Sequence, residues 1–263
     1  MRAGRLLCYP TRSARVCALL AGAAVLAGAT ILAVLHVLPA DRRVDPVSQP
    51  LSEFAFMPYG WLFDVAVSAL ALGLLLLVGA LVRGRCLTGR APARALLTIC
   101  SLSLILIVVF PEHEPDGAVR IAGRIHWVAT MLAFGGLTVA PVLLGSHRAS
   151  VCSRLTTLAR RLSVGSGPCL LVVLVASLLQ YETRSTVPAW SFGVAERVLV
   201  TLEFALAGVL TAWAWRGCAC DRAHLVACET PRDAEQASAS IETLPVRPAD
   251  HDSDVEPAPR LIA

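Results

Sequence analysis

Residues 96–145 read LLTICSLSLILIVV, then FPEHEPDGAVRIAGRIHW, then VATMLAFGGLTVAPVLLG. The middle stretch, Phe110–Trp127, gathers two histidines, three acids and two arginines between two runs that carry no charge. A spanning helix needs about 20 mostly apolar residues, since each adds about 1.5 Å across a hydrocarbon core of about 30 Å. The flanking runs meet that requirement, and the charged stretch is too short and too polar to be anything but their connection. The local reading is therefore a membrane hairpin with a polar cap.

The same pattern recurs outward from this point. Six apolar segments qualify as spans: 16–38, 60–82, 95–110, 125–145, 164–181 and 197–215, the third being the shortest. The chain has 263 residues, 56% of them hydrophobic and only 16% charged, against roughly 25% charged residues in soluble domains. Backbone groups in lipid must be satisfied internally, so the spans are expected to be helices. The fold class that follows is all-α: a polytopic membrane protein of six transmembrane helices arranged as three hairpins. Each of the three connections on one side holds Pro and acid, then Gly and an aromatic. That resemblance among loops needs no triplication, because any such loop uses Pro, Gly and interfacial aromatics.

Orientation is read from arginine, the only basic side chain apart from histidine, since the chain has no lysine. The N-terminal stretch and the connections after spans 2 and 4 hold twelve arginines, and the other three connections hold six. The richer side is expected to be cytoplasmic. Both termini then lie inside a bacterial inner (plasma) membrane. On this topology all nine cysteines fall in cytoplasmic segments or inner half-helices, which fits reduced thiols without a disulfide framework. A cleaved signal peptide is the rival reading of span 1, but the apolar run from Val16 to Leu38 exceeds the usual core of about 7–15 residues.

The expected organisation is a cytoplasmic N-terminal segment at 1–15, a transmembrane domain at 16–216 and a tail at 217–263. After Arg216 the chain carries nine acids and four arginines with few large apolar residues. Such a segment cannot bury enough surface to offset its ordering entropy and is expected to be disordered. The stretch Ser150–Leu162, basic and mildly amphipathic, is expected to lie along anionic headgroups.

Polar residues inside spans are costly and mark candidate sites. Asp64 and Glu203 sit about 6 Å and 10 Å inside spans 2 and 6 at about 1.5 Å per residue. His126 opens span 4 with Thr130 one turn on, His113 lies in the connection, and His36 ends span 1. Asp64, His113, His126 and Glu203, with Arg124 beside them, are expected to face an outward polar pocket that binds a small ligand, a lipid headgroup or a proton. The structural alternative is that each carboxylate pairs with an arginine and ties helices together. An intramembrane metal-dependent hydrolase acting on lipid is the second functional reading, without an HExxH motif to support it. Haem held by His36 and His126 is a further arrangement weighed on the histidines alone. After span 6, Cys218, Cys220, His224 and Cys228 form a possible zinc set that lacks the usual C-x₂-C spacing. No cofactor is called for. The lipid bilayer is the expected partner, a small-molecule or lipid ligand a possible one, and no basic, aromatic-interleaved patch suggests nucleic acid.

The segments LSEFAFMPYGWLFD before span 2, FP at the end of span 3 and GRIHWVATMLAFGGL at the start of span 4 resemble the domain of unknown function 998 family, integral membrane proteins common in actinobacteria. The resemblance covers about residues 14–216. Its FP-acid turn and helix-opening histidine map to Phe110, Pro111, Glu112 and His126. It implies a six-helix membrane fold and no particular activity.

Overall fold

The computed structural model describes residues 11–38, 44–84, 86–87, 90–111, 120–144, 153–183 and 192–216. Among them the chain is helical: α1 (Arg12–Leu35), α2 (Gly60–Arg83), α3 (Ala91–Val109), α4 (Arg120–Leu144), α5 (Ser153–Thr183) and α6 (Phe192–Arg216). A short 3₁₀ helix, Leu51–Phe56, lies between α1 and α2. All six α-helices are long and apolar enough to cross a membrane. The chain divides into two units, Met1–Cys220 and Asp221–Ala263; the second lies outside the described residues, as does the whole expected tail from 217 on.

The helices pack as three antiparallel hairpins, α1 with α2, α3 with α4 and α5 with α6. Contacts of α2 with α3, α4 with α5 and α6 with α1 close them into a ring. Except between α1 and α2, whose connection contains the 3₁₀ helix, the connections are short, and sequential helices joined by few residues return beside one another. The ring buries a core that runs from Ala18 and Val25 through Leu74, Leu77 and Leu97 to Leu137 and Leu206. Its outer surface is apolar too: Leu26, Leu102, Ile121, Val164 and Leu171 are all exposed. An apolar face on both sides of a helix is the mark of a lipid-facing bundle.

Helix boundaries follow ordinary end chemistry. Thr11 caps α1 by accepting a hydrogen bond from the Ala14 amide, 3.2 Å, which satisfies one of the free donors of a helix start. Pro92 enters α3 in its first turn, where a missing N–H costs nothing. Pro111 follows the end of α3 and cannot continue it.

One boundary departs from the sequence reading. Residues 153–162 are the first turns of α5 and not a connection. Leu155 and Leu162 pack against the core and Ala159 is buried, so this stretch supplies an inward face at helical spacing. No Pro interrupts it before Pro168. The helix of 31 residues is about 46 Å long at about 1.5 Å per residue, more than a bilayer core requires. The thiols depart as well. Cys17, Cys100 and Cys169 are free, but Cys86 is disulfide-bonded, so the expectation of reduced thiols throughout is corrected there.

With no hydrophobic drive between helices in lipid, close contact depends on small residues. α1 presents Ala14, Ala18, Ala21, Val25 and Gly28 to the bundle. At Gly28 an added Cβ would stand 2.8 Å from the Ala66 carbonyl oxygen, and at Gly73 2.9 Å from Val25. Between α3 and α4, the Cys100 thiol donates to the Ala133 carbonyl at 3.1 Å, and Gly136 lies opposite Cys100. Gly208 in α6 has nothing within 4 Å of its would-be Cβ.

These two glycine environments predict opposite signs. Gly28→Ala forces a backbone contact apart and is expected to destabilise the protein by about 1–3 kcal/mol. Gly208→Ala gains helix propensity without a clash and is expected to stabilise by about 0.5–1 kcal/mol. Thermal unfolding of the two purified variants in one detergent checks both; equal midpoints would refute the close α1–α2 approach.

Candidate functional site

At the end of the bundle where α1, α3 and α5 finish and α2, α4 and α6 begin, the segment from Val44 to Phe56 folds over the ring as a cap. Its anchors are apolar: Val44, Leu51 and Phe54 are buried against Leu35 and Phe63. Its first turn is self-bonded. The Val47 amide donates to Asp45 Oδ1 at 3.1 Å, the Ser48 hydroxyl donates to Asp45 Oδ2 and the Asp45 amide donates to Gln49 Oε1 at 2.6 Å. The Ser48 hydroxyl and then the Val47 amide hold the Asp45 carboxyl below the ordinary carboxylate range.

The first turns of α6 hold this cap. Glu196 Oε2 accepts from the Leu51 amide at 2.8 Å, and Glu196 is buried. Arg197 Nη1 donates to the Gln49 carbonyl at 2.8 Å and to the Gly193 carbonyl at 3.0 Å. Its Nε donates to His36 Nε2 at 3.2 Å. His36 Nδ1 donates in turn to the Leu32 carbonyl at 2.8 Å, and its ring packs edge-on against Phe54 with centroids 5.0 Å apart. Gly193 allows the approach, since an added Cβ would meet the carbonyl oxygens of Pro46, Val47 and Gln49 at 2.7–2.8 Å.

Beneath the cap lies a cavity of about 100 Å³. Every helix contributes to its wall: Leu32, Phe63, Leu104, Phe134, Val173 and Val200, from α1 to α6 in order, with Pro50, Leu51 and Ser52 from the cap. The wall is mostly apolar, in contrast to the polar pocket expected from sequence. Its polar side chains are Ser52, His126, Trp127, Thr130, Ser177 and Glu196.

His126 is the one sequence candidate that lines this space. It is buried, and its Nδ1 donates to the Phe110 carbonyl at 2.8 Å, which joins the end of α3 to the start of α4. Trp127 turns into the cavity and not to the membrane interface, and its Nε1, like Thr130 Oγ1, is buried without a hydrogen-bond partner.

The other candidates stand elsewhere. Asp64, half-buried one turn into α2, does not line the cavity and makes no hydrogen bond or ion pair with a described residue. Arg124 is exposed. Glu203 is buried one level deeper, about 16 Å along α6 at about 1.5 Å per residue, because α6 begins at Phe192 and not at 197. Thr138 Oγ1 donates to Glu203 Oε1 at 3.3 Å, and the Ser163 hydroxyl donates to the Thr138 carbonyl. That chain ties α4, α5 and α6 together. His113, Cys218, Cys220, His224 and Cys228 lie outside the described residues. Among the described residues no cluster of three or more His, Cys, Asp or Glu side chains could hold a metal. The haem arrangement of His36 and His126 fails on donors, because His36 uses both ring nitrogens on Leu32 and Arg197.

Sequence reasoning passed over Glu196, placing it in a connection. The signal was there: Glu196 and Glu203 are seven residues apart, which puts both on one helix face, and the run from Phe192 is apolar enough to be helical already.

A family model described as a protein of unknown function, DUF998, matches residues 21–214. No curated protein and no solved structure matches the chain. The chain belongs to the domain of unknown function 998 family, and with its six candidate spans it is a multi-pass membrane protein.

The cap attachment generates a prediction. Glu196→Ala leaves the Leu51 amide without its acceptor and is expected to cost about 2 kcal/mol, the scale of a hydrogen bond to a charged group. Glu196→Gln keeps an acceptor oxygen in place and is expected to cost less than half of that. Thermal midpoints of the two variants measure the difference, and an alanine variant as stable as the parent would remove Glu196 from the attachment.

Proposed function

We propose that this member of the family is a bacterial inner-membrane protein with both termini cytoplasmic, and that the cavity under its cap binds a small ligand from the opposite side. The observation that carries the reading is the cavity itself: six helices and the cap leave a shared space in a protein interior that is otherwise close-packed. Its volume of about 100 Å³ corresponds to roughly three water molecules at about 30 Å³ each, and a dry engineered cavity of about 150 Å³ takes benzene. That scale supports a ligand of about four heavy atoms and does not support a whole lipid headgroup. The hydrolase alternative has no residue set behind it, and no step of catalysis is assigned to the site. Asp64 and Glu203 stay candidates for a proton site separate from the cavity.

Orientation rests on the arginine asymmetry, twelve against six. Val47 in the cap is 43% exposed, so a Val47→Cys variant is expected to react with an impermeant maleimide added to intact cells. Labelling only after permeabilisation would reverse the proposed topology.

Binding is tested with xenon, which small apolar cavities take up, observed by xenon NMR on the purified full-length protein in detergent. A saturable bound signal is expected, reduced at least tenfold in occupancy when the cavity is filled by Val200→Trp or, independently, by Ser177→Phe. An unchanged signal in both folded variants would overturn the cavity as the binding site.

A further inference from the structure

Charge is divided unevenly between the two ends of the bundle. At the end where α1, α3 and α5 begin, the described residues include Arg12, Arg83, Arg94, Arg154, Arg161 and Arg216 and no acid. The acids among the described residues all belong to the cap half. Three of these arginines share one seam. On α5, Arg154, Leu158, Arg161, Gly165 and Val172 are all exposed, and their spacing of four, three, four and seven residues keeps them in one stripe. Gly165 places that stripe beside α6, since an added Cβ would stand 3.9 Å from Leu202 Cδ1. On α6, Leu202, Val209 and Arg216 repeat at seven residues and so share a face. Val209 stands against Leu155, Thr156 and Ala159 of α5 across a small gap, and Arg216 is exposed at the end of that face.

Antiparallel pairing fixes the depth of each arginine. Gly165 is level with Leu202, so Arg154, eleven residues before Gly165, is level with Trp213. Arg216 lies one turn beyond Trp213, about 5 Å at about 1.5 Å per residue. Arg161 lies about 10 Å deeper than Arg154 on the same count. An arginine there runs its aliphatic stem along apolar surface and turns its guanidinium back toward the headgroups. Below it, Gly165 and Val172 continue the stripe toward the bilayer centre without charge. The seam thus has cations at headgroup level and an apolar track beneath them, which matches the two parts of a phospholipid. Guanidinium pairs with phosphate through two parallel N–H bonds. A zwitterionic phospholipid brings its own cation with its phosphate. An anionic one does not, and each arginine near such a headgroup favours it by about fivefold.

We infer that the α5–α6 seam binds one anionic phospholipid, its phosphate held by Arg154, Arg161 and Arg216 and an acyl chain laid along Leu158, Gly165 and Val172. A second copy of the same surface would set arginine against arginine, and like charge excludes that occupant. The site is separate from the cavity under the cap, and its occupation does not depend on which way the protein faces in the membrane.

Native mass spectrometry of the purified full-length protein, titrated with phosphatidylglycerol or with phosphatidylcholine of identical acyl chains, measures the affinity for the first bound lipid. Phosphatidylglycerol is expected to bind at least tenfold more tightly. Arg154→Gln/Arg161→Gln/Arg216→Gln is expected to bring the two lipids within threefold of each other. Arg12→Gln/Arg83→Gln/Arg94→Gln removes the same charge from the same end, on α1, α2 and α3, and is expected to keep the preference. Gly165→Leu fills the apolar track at unchanged charge and is expected to weaken phosphatidylglycerol at least threefold. A parent protein without the preference overturns the inference. Equal loss in both triple variants assigns the preference to the whole basic end and overturns the seam, as does a Gly165→Leu variant that binds like the parent. Displacement of the lipid by an equal concentration of glycerol phosphate would make the site one for a soluble anion and overturn the lipid as its occupant.

Discussion

The constraint behind this structure is that hydrocarbon offers no hydrogen bonds to the backbone. Within each helix the amide ladder meets that constraint by itself. At helix ends, at prolines and in the cap it does not, and side chains supply some of the missing partners there. Phe110 lies just past the end of α3, where the helical ladder no longer reaches its carbonyl; His126 Nδ1–H supplies the donor. Pro141 and Pro168 sit inside α4 and α5 and break their ladders. One turn from Pro141 the Ser163 hydroxyl reaches across to the Thr138 carbonyl. The cap has no ladder beyond its short 3₁₀ turn, and it borrows an acceptor from Glu196 and donors from Arg197. His126, Glu196 and Arg197 thus stand in for backbone partners that the fold does not supply, whereas Thr30, Ser101 and Thr211 bond back to carbonyls of their own helices.

This view gives physical content to the short motif that carries the resemblance to the family in this sequence. Phe-Pro at the end of one helix and a histidine at the start of the next are two halves of one hydrogen bond. Proline stops α3 and leaves a carbonyl pointing onward. Histidine can place a ring N–H on that carbonyl without the long flexible stem of lysine or arginine. The same residue lines the cavity, so the bond that joins α3 to α4 also fixes part of the cavity wall.

The bundle was legible in the sequence because lipid makes apolar length the dominant signal. All six spans were identified, and most of the hairpin pairing follows from short connections. What failed were questions of where a helix starts. An amphipathic, arginine-bearing stretch such as 153–162 looks like a surface segment until Leu155, Ala159 and Leu162 are seen to point inward. Starting α6 at 197 hid Glu196 in a connection and made Glu203 look shallow. The composition of the cavity was also hidden. A list of ionisable residues on one side of the membrane suggests a polar pocket, but Asp64 and Arg124 face away from it, and the wall comes from apolar residues of all six helices that no linear pattern groups together. Trp127 reads as an interfacial aromatic by position, and only packing shows that it lines the cavity.

The cavity and the cap are consequences of each other. Six helices in a ring leave space at one end unless large side chains fill it, and here the residues nearest the cap include Ala66, Ser177 and Thr130, too small to do so. A helix laid across that end would need its own satisfied termini. An irregular segment fits more closely, provided that its amides and carbonyls find partners on the ring. Only α6 offers both an acid and a base in its first turns, and Gly193 lets the chain come near enough to reach them. The cap is therefore bound to one helix by polar bonds and to the others by apolar contact through Leu51 and Phe54. Polar bonds fix its register, and apolar contact supplies most of its burial. A cap held in that way can seal a small apolar space while exposing to it only the few polar atoms that the ring has not already used.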